Sequence, residues 1–487
     1  VNRRAFLVHS SSLLSLALIG CKSGPADPDP SDPPPDPVGN TGDTGLPADG
    51  PPRLFIPPEL LGADQNGRKL FELTIQAGTH EFFRGMPAAS LGYNGGLLGP
   101  TLRARRGDAL TIRVTNTLDV ETTTHWHGAH LPAGADGGPH QIIAPGETWV
   151  SEWEVDQVGC TNWYHPHREG TTAEQVYHGL AGLFILDDPE HDALDLPRRY
   201  GVDDIPIILQ DRRFRANGEL DYNLSNMERR MGFDGDTFLV NGDIQPFVEV
   251  EAKQVRFRIL NGSNARVYRL ELHDGTAFQL IGVDNSLLDS PSELSSLLMS
   301  PGERAEIVVD LSARLGDALR LMDTRSGVGL VEVRVSNEPA ELTTLPNTLV
   351  TLDRVDPAEA VRTRDFVLSV GMGPNGAFRI NGVSMDIDVI NEQVPIDEVE
   401  IWALRNTSMM THNFHMHATH FEVISRNGGP PEPHESGFKD TVRLDAGDDI
   451  RVVVRHRDYA DPTQPYMYHC HILEHEDQGM MGQFVVV

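Results

Sequence analysis

Cysteine is scarce in this chain: Cys21, Cys160 and Cys470 are the only three in 487 residues. So few, so far apart, exclude a disulfide-stapled scaffold, and each thiol needs its own explanation. Positive charge is also short. Lys and Arg total 40 against 71 Asp and Glu, a formal net charge of −31, which argues against a nucleic-acid partner, whose phosphates demand a basic face. Long apolar runs are missing: the stretch from Leu13 to Ile19 is too short to span a bilayer. No segment sustains the period of an amphipathic helix. What is present is a composition able to bury sizeable cores, 39% hydrophobic and 23% charged, with 46 Gly and 34 Pro for turns. A chain of this length points to about three domains.

The first residues read as an address. Asn2-Arg3-Arg4 ahead of the short apolar stretch resembles a twin-arginine export signal, and Leu18-Ile19-Gly20-Cys21 resembles the lipobox after which bacterial lipoproteins are cut and acylated. Residues 1–21 are therefore expected to export the chain and to leave a lipid on Cys21, making it a periplasmic or cell-surface protein held to a membrane by that anchor alone. Residues 22–52, dominated by Pro, Asp and Gly, cannot bury enough surface to offset their ordering entropy and are expected to be a disordered tether. The leader adds +2 and the tether −5, which leaves −28 on the folded body. Most of that charge reads as a solvating surface, with attraction of cationic substrates, metal ions included, as the alternative.

The remaining 435 residues are three times 145, and that number recurs. Alternating strands that end in asparagine appear at Leu110–Asn116, Val255–Asn261 and Val399–Asn406, so the three asparagines are spaced by 145 and 145. A turn follows each: Ala144-Pro-Gly-Glu147, Ser300-Pro-Gly-Glu303 and Asp445-Ala-Gly-Asp448. Short alternating strands between Gly, Pro and Asp turns indicate antiparallel sandwiches. The expected fold is all-β, three consecutive Greek-key β-sandwiches over 53–188, 189–345 and 346–487.

Aligning the copies exposes the chemistry. The first carries His125-Trp-His127 and His165-Pro-His167; the third carries His412-Asn-Phe-His415-Met-His417 and His469-Cys-His471-Ile-Leu-Glu-His475, then Met480; the second has Asn264-Ala-Arg266 and Ser326-Gly-Val328 in the corresponding stretches. Structural histidines have no reason to follow that pattern, whereas a metal site shared by the outer copies does. Alternate side chains of a strand face one way, so each His-x-His can grip an ion with both rings. Eight imidazoles exceed the need of one ion and suit a cluster of imidazole-loving ions such as copper. Cys470, facing away from its flanking histidines, completes with His412, His475 and Met480 the donor set of a blue-copper centre. A single His-x-His also occurs by chance on exposed strands, and a lone Cys is more often packing; four pairs with the His-Cys-His are not so explained.

These motifs, His-Trp-His-Gly, Trp-Tyr-His-Pro-His, His-x-x-His-x-His and His-Cys-His-x-x-x-His-x-x-x-x-Met, resemble those of the three-domain multicopper oxidases, the laccase-like enzymes and bacterial cuprous oxidases. The resemblance covers residues 53–487 and implies cupredoxin-like domains holding four copper ions, one type 1, one type 2 and two type 3. It implies type 1 ligands at His412, Cys470, His475 and Met480, type 2 ligands at His125 and His415, and type 3 ligands at His127, His165, His167, His417, His469 and His471. The acidic residues of the oxygen and water channels are matched by Asp136 and Glu476, whose alternative role is surface solvation. His130, His140, His178 and His420 have no slot and are expected to be supporting or surface residues. Cys160 is expected to be a buried thiol.

The implied reaction couples one-electron oxidation of a small-molecule or metal-ion reductant to four-electron reduction of dioxygen to water, in a chain expected to act as a monomer. The reductant is expected to hand its electron to the partly exposed edge of His412 or His475, and Cys470 to relay it. Axial Met480 is expected to hold the type 1 potential below that of relatives with a non-coordinating residue there. The sequence favours a laccase-like oxidase of phenols and aryl amines, because it lacks the methionine-rich insertion of the cuprous oxidases and has Ser408 where they have an aspartate. Oxidation of Cu(I) is the alternative, with Met372, Met385, Met409 and Met410 as soft donors. A non-catalytic scaffold on this fold would show eroded ligand motifs, and here all twelve positions are filled.

Overall fold

The computed structural model describes residues 50–371 and 377–487. The export signal, Cys21, most of the expected tether and Met372 lie outside the described residues. Six β-sheets, two for each of three cupredoxin-like sandwiches, follow one another along the chain. The first pair of sheets uses strands between Glu59 and Asp187, the second strands between Asp204 and Pro339, and the third strands between Arg362 and Val486. Among the described residues no α-helix exceeds six residues.

Alternation builds each layer. In the strand Ala109–Asn116, Leu110, Ile112, Val114 and Asn116 are buried while Arg113 faces out. Each sandwich closes on its own apolar core: Phe71, Ile112 and Trp126 in the first, Ile207, Phe257 and Ile307 in the second, Phe366, Trp402 and Phe414 in the third.

The 145-residue repeat has a physical cause. In every sandwich the strand ending in asparagine pairs in parallel with an earlier strand and antiparallel with a later one. The asparagine itself is buried in all three. Its Nδ2 donates to two carbonyls, those of Val120 and Ile143, of Arg266 and Met299, and of Met410 and Leu444. Its Oδ1 accepts the N–H two residues on, from Leu118, Ser263 and Ser408. The second landmark docks on the same residue: the N–H of Gly146, Gly302 or Gly447 donates to the asparagine carbonyl. Those glycines sit at φ of 82°, 85° and 86°, the left-handed position that a turn of this kind requires. Three side-chain hydrogen bonds per corner, worth ~1 kcal/mol each, fix where each sheet ends.

Candidate metal centre

Two antiparallel strand pairs carry the eight paired histidines. His125–His127 pairs antiparallel with Cys160–His165, placing His125 opposite His165. His412–Met416 pairs with Asp461–His469, placing His415 opposite His469. Only His125 and His127 lie together within a strand, so the alternation expected for all four pairs holds literally for that one. His167, His417 and His471 fall just past the ends of their strands. Pro166 has no N–H to continue a ladder, and the chain leaves the third sheet at Cys470. The rings of each pair nonetheless stay together, 5.8, 6.1, 5.0 and 5.5 Å apart between centroids.

All eight rings are buried. They interleave across the two sandwiches: His125 stacks on His417 at 3.8 Å and His127 on His415 at 3.7 Å. Burial drives the imidazole pKa down in His127, His165, His167, His415, His417, His469 and His471, to about 3 for His167. In these seven rings burial favours the neutral imidazole, the form that binds a metal.

Hydrogen bonds then identify the free nitrogens. The Nδ1 atoms of His125, His165, His415 and His469 face the carbonyls of Asp136, Pro166, Asp440 and Cys470 at 2.8–3.1 Å. A carbonyl only accepts, so these nitrogens carry the protons and each Nε2 presents a lone pair. His125, His165 and His415 have Nε2 atoms with no partner. His417 donates Nδ1–H to Asp136 Oδ2 at 2.7 Å, so its Nε2 is also a lone pair; yet it lies 3.2 Å from His469 Nε2. Two lone pairs facing at that distance repel unless a cation lies between them. The donor set, its protonation and its orphaned atoms fit copper.

The second constellation is a separate triangle. Cys470 Sγ lies 3.6 Å from His412 Nδ1 and 3.7 Å from His475 Nδ1, and the two nitrogens are 3.1 Å apart. All three residues are fully buried. Burial pushes the thiol up to about 12, so an adjacent cation is needed to hold the thiolate. Buried Met480 is fixed beside it: its carbonyl accepts the Cys470 N–H and its own N–H donates to His475 O. Two histidines, one cysteine and a nearby thioether match a trigonal blue-copper site.

One expectation is overturned here. Neither His412 nor His475 has an exposed edge. His475 stacks on Phe378 at 4.3 Å and its Nε2 donates to the carbonyl of Arg230, in the helix Asn226–Met231 of the middle sandwich. The Ser408 hydroxyl covers His412 Nε2 at 2.9 Å.

Both expected acids are buried against the histidine cluster. Asp136 holds His417, with Oδ1 making no hydrogen bond and lying 3.4 Å from His125 Nδ1. Glu476 lies 3.2 Å from His469 Nδ1 and 3.6 Å from His167 Nδ1, with both oxygens free of hydrogen bonds, and burial raises its carboxyl pKa. His130 bonds Ala418 O and Asp458, His140 bonds Gln483, His178 bonds Glu174 O, and His420 stacks on Phe438. Cys160 is a buried free thiol between Gln157 and Asn162.

Asp440 is the residue that the motifs do not announce. Its Oδ1 takes the Nε2–H of His127 at 2.9 Å, which leaves His127 Nδ1 as the orphan. The available signal is Lys439-Asp440-Thr441, charge placed directly before an alternating strand.

Comparison with known proteins agrees with this geometry. Two family profiles, each described as multicopper oxidase, match residues 74–191 and 356–487. The multicopper oxidase mco of Staphylococcus haemolyticus is 37% identical over 427 residues, 87% of this chain and 90% of its own. The cell division protein FtsP of Xenorhabdus nematophila is 37% identical over 454 residues, 90% and 92%. The solved structure of a laccase-like multicopper oxidase, CueO from Ochrobactrum sp., described with oxidase activity towards lignosulfonate, superposes with a TM-score of 0.83 at 37% identity, covering 89% of this chain and all of that one.

Proposed function

The chain belongs to the multicopper oxidase family, oxidoreductases that use dioxygen, and from that premise we propose that it oxidises soft metal ions, Cu(I) foremost, at its type 1 end. In this reading His412, Cys470, His475 and Met480 hold the type 1 copper, His125 and His415 the type 2 ion, and His127, His165, His167, His417, His469 and His471 the type 3 pair. Copper bound there supplies one-electron storage, which lets single-electron donors be matched to the four electrons that dioxygen needs.

The observation that carries the choice of reductant is the roof over the type 1 histidines. No ring edge meets solvent, so a phenol has no imidazole to lie against. The rim instead presents thioethers. Met231 follows Arg230, whose carbonyl holds His475; Met227 shares its helix face four residues earlier; Met409 follows Ser408, which holds His412. They are 51%, 66% and 92% exposed. Thioethers are soft donors that select Cu(I), and the net charge of −31 favours cations. The second reading, a laccase-like oxidase of phenols and aryl amines, is supported by the lignosulfonate activity of the Ochrobactrum relative.

The remaining roles follow from atoms. Cys470 is joined by a few covalent bonds to His469 and His471, coupling the two constellations. Asp136 orients His417 through Oδ2, with Oδ1 3.4 Å from His125 Nδ1 inside the chamber. Glu476, whose carboxyl pKa burial raises, sits beside His167 and His469 as the second carboxyl group of the chamber. Export and a lipid anchor at Cys21 are proposed on the twin-arginine and lipobox resemblances, with the oxidase working as a monomer at a membrane surface.

The test compares Cu(I) and a phenol as reductants of the wild type and of the triple variant Met227→Leu, Met231→Leu, Met409→Leu. The expected result is a loss of about tenfold in kcat/KM for Cu(I), on the order of 1.4 kcal/mol, with the phenol unchanged. An unchanged Cu(I) rate overturns the soft-donor rim.

A further inference from the structure

The trinuclear chamber has an approximate twofold symmetry that runs through two aspartates. Asp136 accepts His125 Nδ1–H on its backbone carbonyl at 3.0 Å and His417 on its carboxylate at 2.7 Å. Asp440 accepts His415 Nδ1–H on its carbonyl at 2.9 Å and His127 on its carboxylate at 2.9 Å. Each aspartate therefore holds one pair of stacked rings, one ring from each outer sandwich. The two differ in their other contacts. Asp136 Oδ1 has no hydrogen-bond partner. Asp440 is clamped by Arg304 of the middle sandwich, Nη1 to Oδ1 at 2.8 Å and Nη2 to Oδ2 at 2.5 Å, with Thr441 Oγ1 on Oδ1 at 2.8 Å.

Arg304 is itself fully buried and leaves no room to move. Its Nε donates to Thr161 O at 3.0 Å and Nη1 to Gly302 O at 3.0 Å. Gly128, the residue after His127, sits at φ 87°, and a Cβ there would lie 2.6 Å from Arg304 Nη2 and 2.7 Å from Asp440 Oδ2. The glycine of His-Trp-His-Gly is thus the space that the clamp occupies. The outcome is a ring turned the other way: His127 is left with a free Nδ1, whereas His125, His165 and His415 are left with a free Nε2.

We infer that Arg304 and Asp440 are a positioning pair through which the ligand-free middle sandwich sets copper affinity at the trinuclear centre, by holding Asp440 as a pure acceptor and so committing His127 to bind through Nδ1. The inference rests on the reading of these imidazoles as copper ligands. A bidentate guanidinium fixes the carboxylate plane, and partners one step removed from a metal tune its affinity by orienting the ligand.

The experiment uses the full chain loaded with copper, as wild type, Arg304→Met, Arg304→Lys and Asp440→Asn. Copper per chain, chelator competition, the thiolate-to-copper absorption of the type 1 site and the electron paramagnetic resonance of the type 2 ion are measured. The absorption reports folding, because the Cys470 triangle does not touch Arg304. Arg304→Met and Asp440→Asn are expected to keep that absorption while their trinuclear copper binds ~10–100-fold more weakly and the type 2 resonance changes; Arg304→Lys, which keeps the charge but not the fork, falls between. Should Arg304→Met lose the absorption through misfolding, Asp440→Asn and Arg304→Lys carry the test. Variants that match a copper-replete wild type in affinity and resonance overturn the inference. A wild type that takes up no copper overturns the copper reading, and the inference with it.

Discussion

The outer sandwiches and the middle one are built on the same corner and filled differently. Asn116, Asn261 and Asn406 make equivalent bonds, yet where the first and third copies place imidazoles with orphaned nitrogens, the second places side chains that fasten its neighbours together. Asn264 Nδ2 donates to Ala173 O and to Glu474 Oε1, joining the first and third copies. Arg266 binds Asp211 and lies 4.6 Å over the Phe238 ring. Deeper in the middle copy Arg258 is buried between Asp204, at 2.8 Å, and Glu306, at 2.9 Å. The difference separates two jobs: the outer copies keep imidazole nitrogens without partners, and the polar groups of the middle copy bind its own sheets and, through Asn264, the other two copies.

That separation can be broken by exchanging the kind of damage. The largest effect is expected from Cys470→Ser, which removes the sulfur of the type 1 triangle without changing its volume much. Turnover with any reductant and the thiolate-to-copper absorption should both vanish while thermal unfolding barely shifts. Copper analysis together with calorimetry checks it, and a coloured variant would contradict the assignment.

Arg258→Met should do the reverse. Two buried carboxylates lose one of their two cations, since Arg256 still pairs with Glu306 and lies 3.8 Å from Asp204; stripping a buried pair completely costs ~3–5 kcal/mol, so the unfolding midpoint in denaturant should fall, by less than that full loss. Folded molecules should keep full colour, since Arg258 touches no ligand.

The smallest effect is a difference in acid response of the copper-free chain. Burial holds His167 at about 3 and His412 at about 4, below the ordinary 6.5. The unfolded chain therefore binds more protons than the native one below pH ~6.5, and stability is lost as pH falls through that range. For Glu306 burial alone would raise the pKa, but Arg256 and Arg258 bring it down to about 2 from 4.5. Its contribution is present above pH ~4.5 and fades only below it. Hydrogen exchange between pH 6.5 and 4.5 should show the histidine strand pairs loosening before the middle sheet, as an order-of-magnitude window.

The frame and the ligands were legible because both rest on local regularities. Period-two burial shows in Ala109–Asn116, the corner asparagines recur at a fixed interval, and His-x-His motifs are short. What was not legible depends on residues far apart in the chain. Asp440 is the counterpart of Asp136, but it follows His417 by 23 positions where Asp136 follows His127 by nine, so aligning the copies does not pair them. Arg304 reads as an outward charge in an alternating strand and is fully buried. The roof over His475 belongs to the six-residue helix Asn226–Met231, too short to have a period, in the copy that has no ligands; the expected exposed edge failed for that reason.

Because each corner closes on its own asparagine without reference to copper, a copy can gain or lose its metal through changes at a handful of strand positions while its architecture is inherited intact. Chemistry in such a chain is a replaceable fitting, and the vacated copy is free to become the keystone against which the other two are set.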